Sequence, residues 1–274
     1  MVFLFLLTNI IKMIQYISKI KKGEFIYMKK GIVIASFGTT HEDALKRTID
    51  VIENKMGEKY GFENCKRAFT SNKVREKLKI KRNLIIFNQS EALQDLKNYG
   101  FEKIFTMSLH ILNGIEYKKL SDKFGKISEP LLFNELDFKK IVENKEFNDA
   151  KRNDAIVFVG HGSEDASDES YEKLQNYYKK FGKENIFIGT IEGKITIEHI
   201  LKKLKNTNFK KILLKPFLIV AGDHAKNDIM SDDENSWKTI LEKNGYKVET
   251  ELIGMGEYPF IQKMFFEKFE KIYE

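Results

Sequence analysis

From Gly31 onward, uninterrupted apolar runs alternate with stretches whose apolar residues recur every three or four positions. Gly31–Phe37 (GIVIASF) is one such run and ends in Gly38-Thr39-Thr40, the pattern of a strand buried on both faces. Acidic Glu42 and Asp43 then open a helix, where negative charge complements the dipole, with Leu45, Ile49, Ile52 and Met56 as its apolar face. Strands are expected at Cys65–Phe69 and Lys103–Leu109, and helices near Asn72–Leu78 and Glu91–Tyr99. A second series begins with the strand Ala155–Gly160 and the helix Glu169–Phe181. Strand Ile186–Gly189, helix Thr196–Leu204, strand Lys211–Phe217, helix Asn227–Lys243 and strand Lys247–Leu252 complete it. Alternating βα units imply parallel sheets with helices on both faces.

The two series resemble each other. Ala35-Ser36-Phe37-Gly38-Thr39 aligns with Val159-Gly160-His161-Gly162-Ser163, and Phe101-Glu102-Lys103-Ile104 aligns with Phe209-Lys210-Lys211-Ile212. The second register sets Glu116 opposite His224. The expected fold is therefore α/β, with two similar domains, each a parallel sheet flanked by helices. The domains are expected at 28–140 and 141–274, with Phe133–Asn153 as the crossover between them. Open α/β sheets bind ligands at their carboxyl edges, so the active site belongs in the interdomain cleft.

Residues 1–27 depart from this pattern. The apolar run Val2–Leu7 is short, and polar Thr8, Asn9 and Lys12 soon break the hydrophobic stretch, whereas a spanning helix needs about 20 predominantly apolar residues. Neither an initial positive charge nor a small-residue cleavage site marks a secretory signal. The segment reads as a non-native extension from a start assigned too early, with Met28 the true first residue. A weak amphipathic membrane anchor or leader is the rival reading. The expected location is cytoplasmic, without stable membrane insertion.

Charge needs the same division. The chain carries a formal +7, which invites a nucleic-acid reading. Lys12, Lys19, Lys21 and Lys22 against Glu24 supply three of those charges, so the remainder suits an acidic small molecule better than a phosphate backbone. The 22 Phe and 11 Tyr exclude disorder, and the lone Cys65 excludes an intrachain disulfide or CxxC motif. No Walker loop, GxGxxG, GxSxG or HExxH occurs, so nothing is built for ATP or a dinucleotide.

The candidate chemistry sits just past predicted strand ends. His161 follows AIVFVG, Glu192 follows IFIG in Gly189-Thr190-Ile191-Glu192-Gly193, and His224 follows Ile212–Val220 in Ala221-Gly222-Asp223-His224. Neighbouring strands lie about 4.8 Å apart, so these side chains can converge. Two imidazoles and one carboxylate suit a borderline divalent ion such as Co²⁺, Ni²⁺, Fe²⁺ or Zn²⁺. The acidic stretch after His224 reads as carboxylates orienting that histidine, as a dinuclear site, or as acids complementing a helix dipole, which suits Asp232 and Asp233. Of the other histidines, His199 reads as structural, His41 as exposed, and His110 as structural but near the cleft.

Together these segments resemble the anaerobic sirohydrochlorin cobaltochelatases of the class II chelatase group. The matching stretches are Ser36-Phe37-Gly38-Thr39, Arg67-Ala68-Phe69-Thr70-Ser71, Ser108-Leu109-His110-Ile111, Asn113-Gly114, Glu116-Tyr117, Gly160-His161-Gly162 and Val220-Ala221-Gly222-Asp223-His224-Ala225. Asn227-Asp228, Ser231-Asp232-Asp233 and Ser236-Trp237-Lys238 continue the match, while Thr40-His41 and the Lys-rich surface helices depart from it. The resemblance implies a chelatase-like fold and ATP-independent insertion of Co²⁺ into sirohydrochlorin, a tetrapyrrole with eight carboxylates. It further implies that His161 binds metal and accepts a pyrrole proton, that Glu192 and His224 are the other metal ligands, and that Glu116 faces the macrocycle. No cofactor beyond the substrate ion is implied, and a homo-oligomer is compatible with it. Arg67 and Arg75 are candidate partners for the ring's carboxylates. The rivals are ferrous or nickel insertion into the same ring, a metal-dependent hydrolase, and a non-catalytic tetrapyrrole- or metal-binding protein.

Overall fold

The computed structural model describes residues 28–123, 125–149 and 154–273, so the reading of residues 1–27 lies outside the described residues. Strand β1 (Lys30–Ser36) is central in a parallel sheet of order β2-β1-β3, where β2 is Cys65–Phe69 and β3 is Lys103–Ser108. Side chains alternate across a strand. Ile32 and Ile34 accordingly enter one core with Ile52, Met56 and Met107, while Val33 and Ala35 enter another with Ala92, Leu93 and Leu96. That is why the run reads as continuously apolar.

The second sheet comprises β4 (Asp154–Gly160), β5 (Ile186–Thr190), β6 (Lys211–Pro216) and β7 (Lys247–Thr250), all parallel, in the order β5-β4-β6-β7. Its first three strands repeat the order of the first sheet. The aligned glycines Gly38 and Gly162 follow the two central strands with φ of 92° and 89°, a left-handed conformation that favours glycine.

Helices α1 (Glu42–Arg47) and α2 (Ile49–Tyr60) replace the single helix expected after β1. The break falls at Thr48, whose hydroxyl donates to the Ala44 carbonyl at 2.6 Å and so competes with the helical ladder. Helix α3 (Asn72–Arg82) is capped by Ser71, and α4 (Gln89–Asn98) by a capping box of Asn88 and Glu91. The crossover region contains α5 (Glu135–Glu143), opened by Asn134 and Asp137. Helices α6 (Glu169–Lys180) and α7 (Ile197–Lys205) flank β5 in the chain.

The helix expected over Asn227–Lys243 is corrected. One π-turn (Ala225–Ile229) and a short α8 (Trp237–Lys243) are separated by a loop. Ser231 donates its hydroxyl to the Asn227 carbonyl at 2.5 Å, and Ser236 caps α8 by accepting the Thr239 N–H at 3.1 Å. Such local side-chain bonds offer the backbone an alternative to the helix.

Helix α9 (Pro259–Glu270) was not expected, although Pro259 at its first turn and apolar Ile261, Met264, Phe265 and Phe269 mark it. It returns to the first sheet. Tyr60 meets the Phe269 and Tyr273 rings at 5.7 and 4.7 Å, and Tyr273 meets Phe105 at 5.0 Å. One apolar core therefore runs from β1 and β3 to β4 and β6. Beside it the buried Lys268 ammonium lies 2.7 Å from Asp137 and 3.5 Å from Glu129. No helix among the described residues is long and apolar enough to cross a membrane.

Lys268→Met removes the cation from a buried carboxylate. Breaking such a pair on one side should cost about 3 kcal/mol, read as a lowered midpoint in denaturant unfolding; an unchanged midpoint would contradict a stabilising role for the pair.

Candidate active site

The chain leaves β4 for β5 on one side, and β6 then lies on β4's other side. A crevice opens at such a switch point beyond the carboxyl ends of the strands. His161 directly follows β4, Glu192 is in the turn after β5, and His224 is in the loop after β6.

Backbone geometry brings the first two together. The Ile191 N–H donates to the Gly160 carbonyl at 3.0 Å, and the Glu192 N–H to the His161 carbonyl at 2.8 Å, extending the β4–β5 ladder into the loops. A Cβ on Gly162 would overlap the Gly193 backbone nitrogen, so this approach requires glycine. His161 Nε2 then lies 3.6 Å from Glu192 Oε2. The His161 and His224 rings meet edge to face at 4.7 Å between centroids.

His224 Nδ1 is 2.7 Å from Asp228 Oδ2. A carboxylate only accepts, so Nδ1 carries the proton and Nε2 keeps its lone pair for a ligand or a proton. Asp228 is therefore the carboxylate that orients His224. Asp223 instead meets His41 at 3.3 Å and Asn227 at 3.0 Å. Asp232 pairs with Lys238, and Asp233 accepts the Asn235 N–H at 2.9 Å in the loop before α8. Among the described residues no three His, Cys, Asp or Glu side chains form a ready-made ligand cage. His161, Glu192 and His224 converge but stand open, their side chains 38%, 59% and 35% exposed.

Opposite them lie the loops of the first sheet, and the two sets enclose a cavity of about 720 Å³. Its lining includes His161, Glu192 and His224 on one side and Thr39, His110 and Glu116 on the other. Glu116 Oε1 accepts from Lys119 at 2.5 Å, whereas Oε2 is buried without a partner. Lys118, in the same loop, reaches across to Asp165 at 2.6 Å.

His110 is buried, with Nδ1 2.9 Å from Ser108 Oγ and Nε2 3.3 Å from Thr70 Oγ1. Burial pushes its pKa down to about 4, against the opposing pull of the Glu116 charge, so it is neutral near pH 7 and ties loop to strand. His199 accepts the Thr196 N–H at 3.2 Å as part of a helix cap. His41, expected to be exposed, is instead 26% exposed on its side chain and lines the cavity. It stands beside Lys226, which bonds Asp43 at 3.0 Å.

The expected role of Arg67 and Arg75 is corrected. Arg67 is held by Asp50 and Glu53 of α2, and Arg75 by Glu91 and Asn72 at 2.9 and 3.0 Å. Neither lines the cavity. The cations that do are Lys73 and Lys77 of α3. Their i,i+4 spacing, offset from the inward pair Val74 and Leu78, was the available signal.

Residues 30–274 match the family model described as cobalt chelatase (CbiK). The chain is 30% identical over 251 residues to the sirohydrochlorin cobaltochelatase of Salmonella typhimurium, covering 87% of this chain and 94% of that one. It is also 30% identical over 247 residues to the sirohydrochlorin cobaltochelatase CbiKC of Nitratidesulfovibrio vulgaris, covering 84% and 86%. Among solved structures, SirB from Bacillus subtilis with Fe³⁺ shares the fold at a TM-score of 0.58 and 11% identity, covering 89% of this chain and 95% of that one. A multi-domain Deinococcus radiodurans protein with structural similarity to chelatases does so at 0.53 and 8%, covering 90% of this chain and 56% of its own. With residues 30–274 matched, two parallel sheets facing across a cleft and the strand-end side chains gathered in it, the chain belongs to the cobalt chelatase (CbiK) family.

Proposed function

We propose that this protein is a sirohydrochlorin cobaltochelatase, inserting Co²⁺ into the tetrapyrrole without ATP. The observation that carries the reading is the convergence of His161, Glu192 and His224 at the switch point of the second sheet, inside the cavity. In this reading the three are the ligands of the substrate ion, and small side-chain rotations bring their donors from the present spacing to about 2.0–2.2 Å from it. Three protein ligands leave coordination positions open for the ring nitrogens. We place the domain division near residue 140, with α9 returning across it, and the enzyme in the cytoplasm.

Metallation requires two pyrrole N–H protons to leave as the ion enters. His161 accepts one of them once the ion passes from its imidazole to the ring, since an imidazole takes and gives protons near neutral pH. Glu116 faces the ring from the other wall. Its Oε2, buried without a partner in this arrangement, becomes the acceptor for the second N–H when the carboxylate turns toward the ring, while its Oε1 stays on Lys119. His224, oriented by Asp228, supplies Nε2 to the ion. Lys73 and Lys77, which make no ion pair among the described residues, extend from one face of α3 at the cavity and hold peripheral carboxylates of the ring by charge-assisted hydrogen bonds.

Purified protein mixed with sirohydrochlorin and Co²⁺ and followed by absorbance tests the reading; metallation no faster than the spontaneous rate would overturn it. Fe²⁺ and Ni²⁺ in the same assay decide the metal. His161→Ala should lower kcat by about 10²-fold or more while the ring still binds, whereas unchanged turnover would remove His161 from the mechanism. Reversing both charges in Lys73→Glu/Lys77→Glu should raise KM for the ring roughly tenfold, a loss of about 1.4 kcal/mol in binding, with kcat little changed. An unaltered KM would place the carboxylates elsewhere.

A further inference from the structure

Asp168 lies at the start of α6, fully buried. An acid there ordinarily reads as an N-terminal complement to the helix dipole. Its side chain makes no cap to its own helix. Instead Oδ1 accepts the Ser163 N–H at 3.0 Å and Oδ2 accepts the Lys194 N–H at 2.8 Å. Ser163 is two residues beyond His161, and Lys194 two residues beyond Glu192. One buried carboxylate thus clamps the two loops that present these side chains. Gly193 is shaped around it, since a Cβ at that position would overlap Asp168 Oδ1.

We propose that Asp168 is a positioning residue that sets the separation of His161 and Glu192 for the substrate ion. The inference rests on the assignment of those two residues as ligands. Both side chains are substantially exposed, and their mutual approach of 3.6 Å is too long to fix either one. Their spacing is therefore inherited from the loop backbones. Those backbones are joined by the His161–Glu192 main-chain bond at 2.8 Å and, beyond it, by Asp168. A carboxylate suits this task because each oxygen takes one N–H. In an amide of the same shape one oxygen becomes an NH₂, and a donor then faces a donor. Asp168 itself touches neither ion nor ring in this arrangement.

The test is titration of the full-length protein with Co²⁺ alone, read by the visible d–d absorption of the bound ion, beside the chelatase assay. Asp168→Asn should weaken Co²⁺ binding about 10- to 100-fold, change the absorption band, and lower kcat while leaving KM for the ring near its wild-type value. Gly193→Ala, which drives a methyl group against the same carboxylate, should act in the same direction and decides the matter if Asp168→Asn does not fold. Lys268→Met serves as control, since it removes a buried pair elsewhere and should leave the cobalt spectrum unchanged. Wild-type Co²⁺ affinity and spectrum in folded Asp168→Asn would overturn the inference while leaving the ligands in place. His161→Ala in the same titration separates the two ideas: if it too binds Co²⁺ as wild type does, the ligand assignment fails and the positioning role falls with it.

Discussion

The site depends on a contact between two stretches of backbone. Gly162 and Gly193 lie against each other there, and neither has room for a side chain. At Gly162 the obstacle is the other loop's main chain, and at Gly193 it is the carboxylate of Asp168. This approach continues the parallel ladder one step past the ends of β4 and β5, through the bonds from Ile191 and Glu192 to Gly160 and His161. A regular ladder would end with its side chains dispersed above and below the sheet. Here the left-handed turn at Gly162 takes the chain off the sheet just after His161, which stays at the carboxyl edge with Glu192 and with His224, the residue before the π-turn.

Much of this was legible in the sequence because strands buried on both faces announce themselves. GIVIAS and AIVFV needed no alternation to be read, and the chemistry-bearing residues lay one to eight positions after such runs. The internal repeat was legible for the same reason, and its most telling pair is Gly38 with Gly162, two glycines in one uncommon conformation. Where the reading erred, a short-range side-chain bond overruled a periodic pattern. The Thr48 hydroxyl divides α1 from α2, and Ser231 with Ser236 unwinds the stretch before α8. Neither bond leaves a mark on apolar spacing.

The site errors have another origin. Arg67 reads as a partner for carboxylates of the ring, but Asp50 and Glu53 sit one helical turn apart on α2 and both bond its Nη2, with Glu53 also taking Nε. Such a pairing depends on how a helix lies over a strand, information that the local sequence does not carry. Asp168 was overlooked for the converse reason. An acid at a helix start has a sufficient local explanation, and only the fold shows that its oxygens face two distant loops. His41 belongs with it: a helix-opening residue by sequence, it reaches the cavity because α1 starts at the carboxyl edge of β1.

The two sheets are joined unequally around the cavity. Behind it runs the shared apolar core, sealed by α9 and by Lys268 against Asp137, groups that leave water on folding. At the mouth the links are polar and face solvent: Lys118 to Asp165 on one side, and Lys226 to Asp43 with His41 to Asp223 on the other. Coulomb attraction between such groups is weak in water, and salt screens it further. Separating the buried pair strands a charge in low dielectric, whereas separating the outer pairs returns each partner to solvent. If the halves part to admit a flat, many-armed ring, the least costly motion is rotation about the core that opens the mouth. That axis leaves β4, β5 and the clamp between their loops within one rigid half, so the spacing of His161 and Glu192 does not depend on whether the cleft is open.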